Sequence, residues 1–156
     1  FVALGPGWVL LPDDGRMLFM THQPFLPEGT LRAALCYPRA ADAYTDQCIR
    51  HALECAGLAW LAPRLDERNN WEQALPLRNQ QRLGFARAVM QRPAWIFIED
   101  ATDAFDPKGA RLMLEMLRHE LPSSSMFTIG FHAGLEALHD RKIVLERTKE
   151  RGLPLT

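Results

Sequence analysis

Two adjacent carboxylates close an apolar run in the 156-residue sequence: Ile96-Phe97-Ile98-Glu99-Asp100, followed by Ala101-Thr102-Asp103-Ala104-Phe105-Asp106. In parallel α/β sheets ligands bind at the carboxyl ends of strands, so Glu99 and Asp100 emerge where a site is expected. Such a pair can divide two tasks: one carboxylate holds Mg²⁺, usually through water, and the other orients or deprotonates an attacking water. The competing reading is a solvated strand end with acidic residues. Cys48, His51 and Cys55 follow i, i+3, i+7 spacing and can share one helix face in a metal-like arrangement. A structural zinc site normally takes four ligands and no fourth lies nearby in sequence, so helix packing is the better reading.

The elements that must position these groups follow from periodicity and punctuation. Gly/Pro-rich breaks at 5–7 and 12–15 bracket an apolar run at 8–11, and a second run follows at 17–20, which reads as strand, turn, strand. From residue 28 to Gly57 the pattern turns helical. Thr30 caps a short turn through Leu35, and Thr45 caps a helix whose Ile49, Leu53 and Ala56 line one face before Gly57 stops it. A polar stretch at 64–70 interrupts. Residues 79–91 then show helical spacing, with Leu83, Ala86 and Met90 inward and Pro93 beyond the end, leading into a buried strand at 95–98.

Asp106 and Pro107 offer an N-cap with proline in the first turn, and Ala110, Met113, Leu114 and Leu117 supply a core stripe up to Pro122. Residues 125–131 and 142–145 read as further strands, separated by a short helix at 135–139. Alternating helix and strand in the second half predicts an α/β sheet with parallel pairing, and residues 28–78 read as a helical insertion.

Composition limits the partners. The chain is 47% hydrophobic and 24% charged, with a formal charge of -1, so no basic excess marks a nucleic-acid binder. No apolar stretch approaches the ~18 residues of a membrane span. Three cysteines without a CxxC pair argue for free thiols in a reducing compartment.

The segment Trp71-Glu72-Gln73-Ala74-Leu75-Pro76-Leu77-Arg78-Asn79-Gln80-Gln81-Arg82-Leu83 runs through Ala86-Arg87-Ala88 and Arg92-Pro93 into the acidic strand. It resembles the ATP-binding domain of ABC transporters. That family opens a Gln-Arg-Leu-x-x-Ala-Arg helix with a Leu-Ser-Gly-Gly-Gln type signature loop, continues into a Walker B strand ending in Asp and Glu, and follows it with Ala-Thr-Ser-Ala-Leu-Asp. The match needs no gap from Trp71 to Asp106. Phe19-Met20-Thr21-His22-Gln23-Pro24-Phe25-Leu26-Pro27, with Gly29-Thr30-Leu31-Arg32 after it, is similar to the Q-loop region, and His132 falls where the family has its switch histidine. The run at 24–32 is closest to the subfamily of peroxisomal fatty-acid transporters and permease-fused bacterial relatives.

The resemblance implies a P-loop NTPase-like α/β core (residues 1–27 and 79–147) with an inserted helical subdomain (28–78) carrying the signature loop. It further implies ATP and Mg²⁺ as ligands, a second ATP-binding domain and a transmembrane permease as partners, and a place on the cytoplasmic face of a membrane. Glu99 takes the metal-binding position, Asp100 the catalytic one and His132 the γ-phosphate sensor. His22 or Gln23 serves the Q-loop, and residues 75–80 (Leu75, Pro76, Leu77, Arg78, Asn79, Gln80) reach across the dimer, with Asp106 at the D-loop position. The isolated chain is expected to be inactive, because no G-x-x-x-x-G-K-[ST] phosphate loop occurs in it and the chain reads as the C-terminal part of a larger protein.

Four departures from the family pattern bear on activity. Pro76 stands at the signature serine and offers neither hydroxyl nor N–H, while Arg78 stands at a signature glycine and adds a charge that can pair with phosphate or fill its space. Glu99 and Asp100 invert the usual order, and Asp100 is one methylene shorter than the family's glutamate, which predicts slow hydrolysis. His22 occupies the Q-loop glutamine position when Pro24 is held in register.

Overall fold

The computed structural model describes residues 16–129 and 134–144. The strand expected at 8–11 and His132, expected as the switch histidine, lie outside the described residues. In chain order the elements are β1 (Met17–Met20), β2 (Gly29–Thr30), α1 (Leu31–Cys36), α2 (Asp46–Cys55), a 3₁₀ segment (Ala59–Arg64) and β3 (Arg68–Asn69). They continue with α3 (Trp71–Ala74), α4 (Leu77–Gln91), β4 (Trp95–Glu99), α5 (Pro107–Glu120), β5 (Ser125–Ile129) and a 3₁₀ turn (Glu136–Leu138).

The helix starts follow their side-chain caps. Thr30 accepts from the Ala33 N–H, Thr45 from Cys48 and Asp106 from Gly109, each satisfying an orphan donor of the first turn. Gly57, at φ +68°, carries the chain out of α2. A Cβ there would collide with the Arg82 guanidinium, which donates to the Ala56 and Gly57 carbonyls at 3.3 and 3.1 Å. Glycine thus serves both the left-handed turn and the close approach of an arginine from α4.

Among the described residues the main sheet is parallel, in the order β1-β4-β5, with Phe19, Phe97 and Phe127 in one row. Each crossover needs a long connection, and that requirement places the helices between strands. Ile96 and Ile98 are fully buried against the helices, whereas Trp95 and Phe97 on the other face are only half-buried. There the Phe19 and Phe97 rings stack at 4.9 Å, Phe97 and Phe127 at 5.1 Å, and Trp95 and Phe127 at 5.8 Å. The strand expected as buried therefore alternates, because helices among the described residues cover one face of it.

A second correction concerns residues 142–144, expected as a strand. They pair with nothing in the sheet, which ends at β5 among the described residues, and Ile143 and Val144 are about two-thirds exposed.

Between β1 and α4 the chain builds a layer of short helices closed by the two-stranded β2–β3 ladder. Trp71 is fully buried at its base and donates its indole N–H to the Gly29 carbonyl at 3.0 Å. Helix α4 is the axis of the molecule, packing on α1, α2, α3, α5 and β1. A single inward stripe is expected there, yet every residue from Leu83 to Met90 is buried, Arg87 included. A helix surrounded on all sides has no solvent face to keep polar. No helix among the described residues is long and apolar enough to cross a membrane.

Candidate functional site at the carboxyl edge of the sheet

The parallel register decides which residues meet at the edge. Met20 pairs with Ile98, and Glu99 with Ile129, so the segments leaving β1, β4 and β5 emerge side by side. Glu99 and Asp100 are both exposed there. Asp100 adopts φ +49°, a left-handed conformation that aspartate tolerates better than most residues, and its N–H donates to the Ile129 carbonyl at 3.3 Å. The backbone thus turns sharply at the residue expected to handle water. His132 follows β5 in sequence but lies outside the described residues, so only the strand leading towards it is placed.

Gln81, one turn into α4, binds the edge together. Its buried amide donates to the His22 carbonyl at 2.8 Å, to Asp103 Oδ1 at 2.8 Å and, at longer range, to the Asp100 carbonyl at 3.5 Å. Its oxygen accepts the Ala104 N–H at 3.3 Å. The imidazole Nδ1–H of His22 donates to Asp103 Oδ2 at 2.7 Å. The stretches after β1 and β4 are therefore latched to each other and to the helix between them. Gln23 points elsewhere, donating to Glu72 at 3.4 Å.

Neither Gln81 nor Asp103 stands out by residue type. The legible signal for Gln81 is position: it shares the i, i+3, i+7 stripe of α4 with Gly84 and Ala88, a row of small buried residues where a polar side chain needs a buried partner. Gly84 packs 3.8 Å from Met20 and 3.9 Å from Pro24, measured from the position its Cβ would take.

Burial works to raise the Asp103 carboxyl, but the bonds from Gln81 and His22 outweigh it and hold the group below its ordinary value. A carboxylate with a lowered folded pKa adds stability above its unfolded pKa and loses it as pH falls through the folded one. Acidification below about pH 4 should therefore loosen this latch. Asp103→Asn should flatten that part of the stability profile, read from urea midpoints measured between neutral pH and about pH 3. An unchanged acid limb in the variant would show that the latch contributes nothing.

The loop before α4 is held by local hydrogen bonds. Leu75 is buried, Leu77 and Asn79 are half-buried, and Pro76 and Arg78 are exposed. Pro76 occupies the N-cap of α4 without a side-chain bond, and its carbonyl accepts from Asn79 and Gln80 at 2.8 and 3.1 Å. The buried Gln80 amide donates to the Glu72 and Leu75 carbonyls at 2.7 and 2.8 Å, which fixes the loop's shape. The Arg78 guanidinium rests 5.5 Å over the Phe105 ring, beside Arg82 at 5.8 Å. Asp106 is occupied as the cap of α5, 2.8 Å from the Gly109 N–H.

Comparison with known proteins agrees with this architecture. The chain is 33% identical over 131 residues, 84% of its length, to an ABC transporter ATP-binding protein of Haemophilus influenzae. It is 31% identical over 142 residues, 83% of its length, to the lysosomal cobalamin transporter of Mus musculus. The solved structure of a bacterial Atm1-family ABC exporter with ATP bound superposes with a TM-score of 0.66 over 80% of the chain at 19% identity, covering 22% of that structure's own chain, which establishes the fold. No family model matches. The fold and these relatives make the chain an ABC transporter ATP-binding domain. It spans about a fifth of the length of the curated relatives: 22% of the Haemophilus protein and 23% of the mouse one.

Proposed function

We propose that this chain supplies the Walker B edge, Q-loop and signature helix of an ATP-binding domain that energises a membrane permease. Residues 1–27 and 79–147 would form its α/β core and residues 28–78 its helical subdomain. The observation that carries the reading is the convergence of Glu99, Asp100 and the His22 segment at the carboxyl edge of a parallel sheet, the place where such folds bind ligands. Exposed, hard carboxylate oxygens at this edge suit Mg²⁺.

Mg²⁺-bound ATP supplies an activated γ-phosphoryl group when present. Glu99 would hold the metal and Asp100 would orient the attacking water, while His132 would bind the γ-phosphate. The exposed N-terminus of α4, with the Leu77 and Arg78 N–H groups at its first turn, suits an anion held by a second ATP-binding domain across a dimer. Leu75, Pro76, Asn79 and Gln80 would shape that loop, Asp106 would stand at the D-loop turn, and His22 or Gln23 would relay the state of the site to the permease. Such phosphoryl transfer depends on positioning and electrostatic stabilisation. A parent transporter would hold this domain at the cytoplasmic face of its membrane.

A second reading, a non-hydrolysing domain kept for dimerisation or regulation, is favoured by a specific observation. The arginine at a signature glycine position is drawn onto Phe105, and the proline before it leaves α4 without a side-chain cap. The test is Mg²⁺-dependent ATP hydrolysis by the full-length polypeptide, with and without Glu99→Gln. The first reading expects measurable turnover reduced about tenfold or more by the substitution, since a carboxylate on the metal is lost. ATP binding without turnover would establish the second, and turnover indifferent to Glu99 would remove the assigned metal role.

A further inference from the structure

The Cys48, His51, Cys55 spacing is only partly used by the fold. Cys48 and Cys55 both pack against the core, but Cys55 also lies beside His51, one helical turn away on α2, and His51 meets Glu120 at the end of α5. His51 Nε2 lies 3.0 Å from Glu120 Oε2 and 3.5 Å from Cys55 Sγ. One donor atom from each of the three residues falls within 4.8 Å of the other two.

We propose that His51, Cys55 and Glu120 form a binding site for a divalent transition-metal ion of the zinc type, fastening α2 to the end of α5. The donor set is imidazole, thiolate and carboxylate, the three ligand types zinc accepts. With Zn–N near ~2.05 Å and Zn–S near ~2.3 Å at tetrahedral angles, nitrogen and sulfur stand about 3.5 Å apart, and nitrogen and oxygen about 3.3 Å. The observed 3.5 Å separation matches the first, and the second needs the 3.0 Å contact to open by roughly 0.3 Å. Water would take the fourth position.

The surroundings hold the donors in place. Glu120 is mostly covered, its side chain 17% exposed. His119 Nδ1 lies 3.2 Å from its other oxygen, and the Arg92 guanidinium, at the end of α4, donates to its carbonyl at 3.0 Å. A thiol beside a carboxylate is a poor neighbour as a thiolate until a cation stands between them, and a bound ion supplies that charge. The ion would join α2 to the end of α5, beside the bond that already ties Arg92 at the end of α4 to Glu120.

The test uses the full-length polypeptide, titrated with Zn²⁺ by calorimetry and with Co²⁺ by absorption. Co²⁺ should produce a thiolate charge-transfer band in the near ultraviolet that is lost in Cys55→Ser and retained in Cys48→Ser. Zn²⁺ affinity should fall roughly tenfold or more in each of Cys55→Ser, His51→Gln and Glu120→Gln, because even outer-shell partners of metal ligands are worth that much. Three separate variants guard against one that fails to fold. A Co²⁺ band and Zn²⁺ affinity unchanged by Cys55→Ser, or a band that follows Cys48 instead, would overturn the proposal.

Discussion

Restoring the family pattern at three positions should accelerate ATP turnover. In the full-length polypeptide, Asp100→Glu together with Pro76→Ser and Arg78→Gly is expected to raise Mg²⁺-dependent hydrolysis by about tenfold or more, since a positioned base contributes ~10²–10⁴-fold and a charge-stabilising donor a comparable factor. The two halves of the change act differently. Asp100 leaves a sharp turn at φ +49°, and the added methylene of glutamate extends the carboxylate further from that turn. Pro76→Ser returns a hydroxyl to the N-cap of α4, where no side-chain bond exists now. Arg78→Gly removes the guanidinium that lies over Phe105. Turnover measured at saturating ATP decides the matter: no acceleration would mean that these departures are not what limits hydrolysis, and the non-hydrolysing reading would stand ahead.

Arg87→Leu should lower stability more than Asp103→Asn or any single substitution at the acidic edge. The side chain is 7% exposed in the middle of α4, and its hydrogen bonds run to backbone carbonyls. Its Nε donates to the Ala34 carbonyl at 2.9 Å, and its terminal nitrogen donates to Phe25 at 2.8 Å and again to Ala34. Ala34 belongs to the last turn of α1, whose carbonyls have no partner within the helix, and a cation is the natural partner at that negative end. The Tyr37 ring lies 5.7 Å from the guanidinium carbon. Burial pushes the Arg87 pKa down to about 10, so the group remains charged at neutral pH while being costly to bury.

Leucine would remove that cost but strand two carbonyls, each worth ~1–3 kcal/mol when left unsatisfied. A net loss of about 3 kcal/mol is expected, or a fall in melting temperature of roughly 6–12 °C at this size. Arg87→Lys should recover only part of it, since an ammonium cannot reproduce the guanidinium fork. Thermal unfolding followed by tryptophan fluorescence would measure both variants. A shift under about 2 °C for leucine would show that the neighbouring backbone finds other partners.

Local chemistry was legible where one residue decides one event. The caps at Thr30, Thr45 and Asp106, the apolar stripe of α5 and the strand ending at Glu99 all follow from side chains acting on their own segment. The Gln81 latch, the buried charge of Arg87 and the place of Glu120 beside His51 did not, since each joins residues separated by 19 to 69 positions. Residues 142–144 show the converse error. Their apolar run suits a strand, but a strand exists only when a neighbour supplies its hydrogen bonds.

The sequence by itself determined the acidic pair, the helices α1, α2, α4 and α5, the three strands of the main sheet, and the resemblance that the relatives bear out at the level of the ABC transporter ATP-binding domain. Tertiary structure alone decided that α4 is enclosed from Leu83 to Met90, that Gln81 ties His22 to Asp103, and that α2 offers its histidine and cysteine to a glutamate on α5. The reason is physical: propensity and capping act within a turn or two of the chain. Burial and the pairing of distant polar groups are properties of the packed whole.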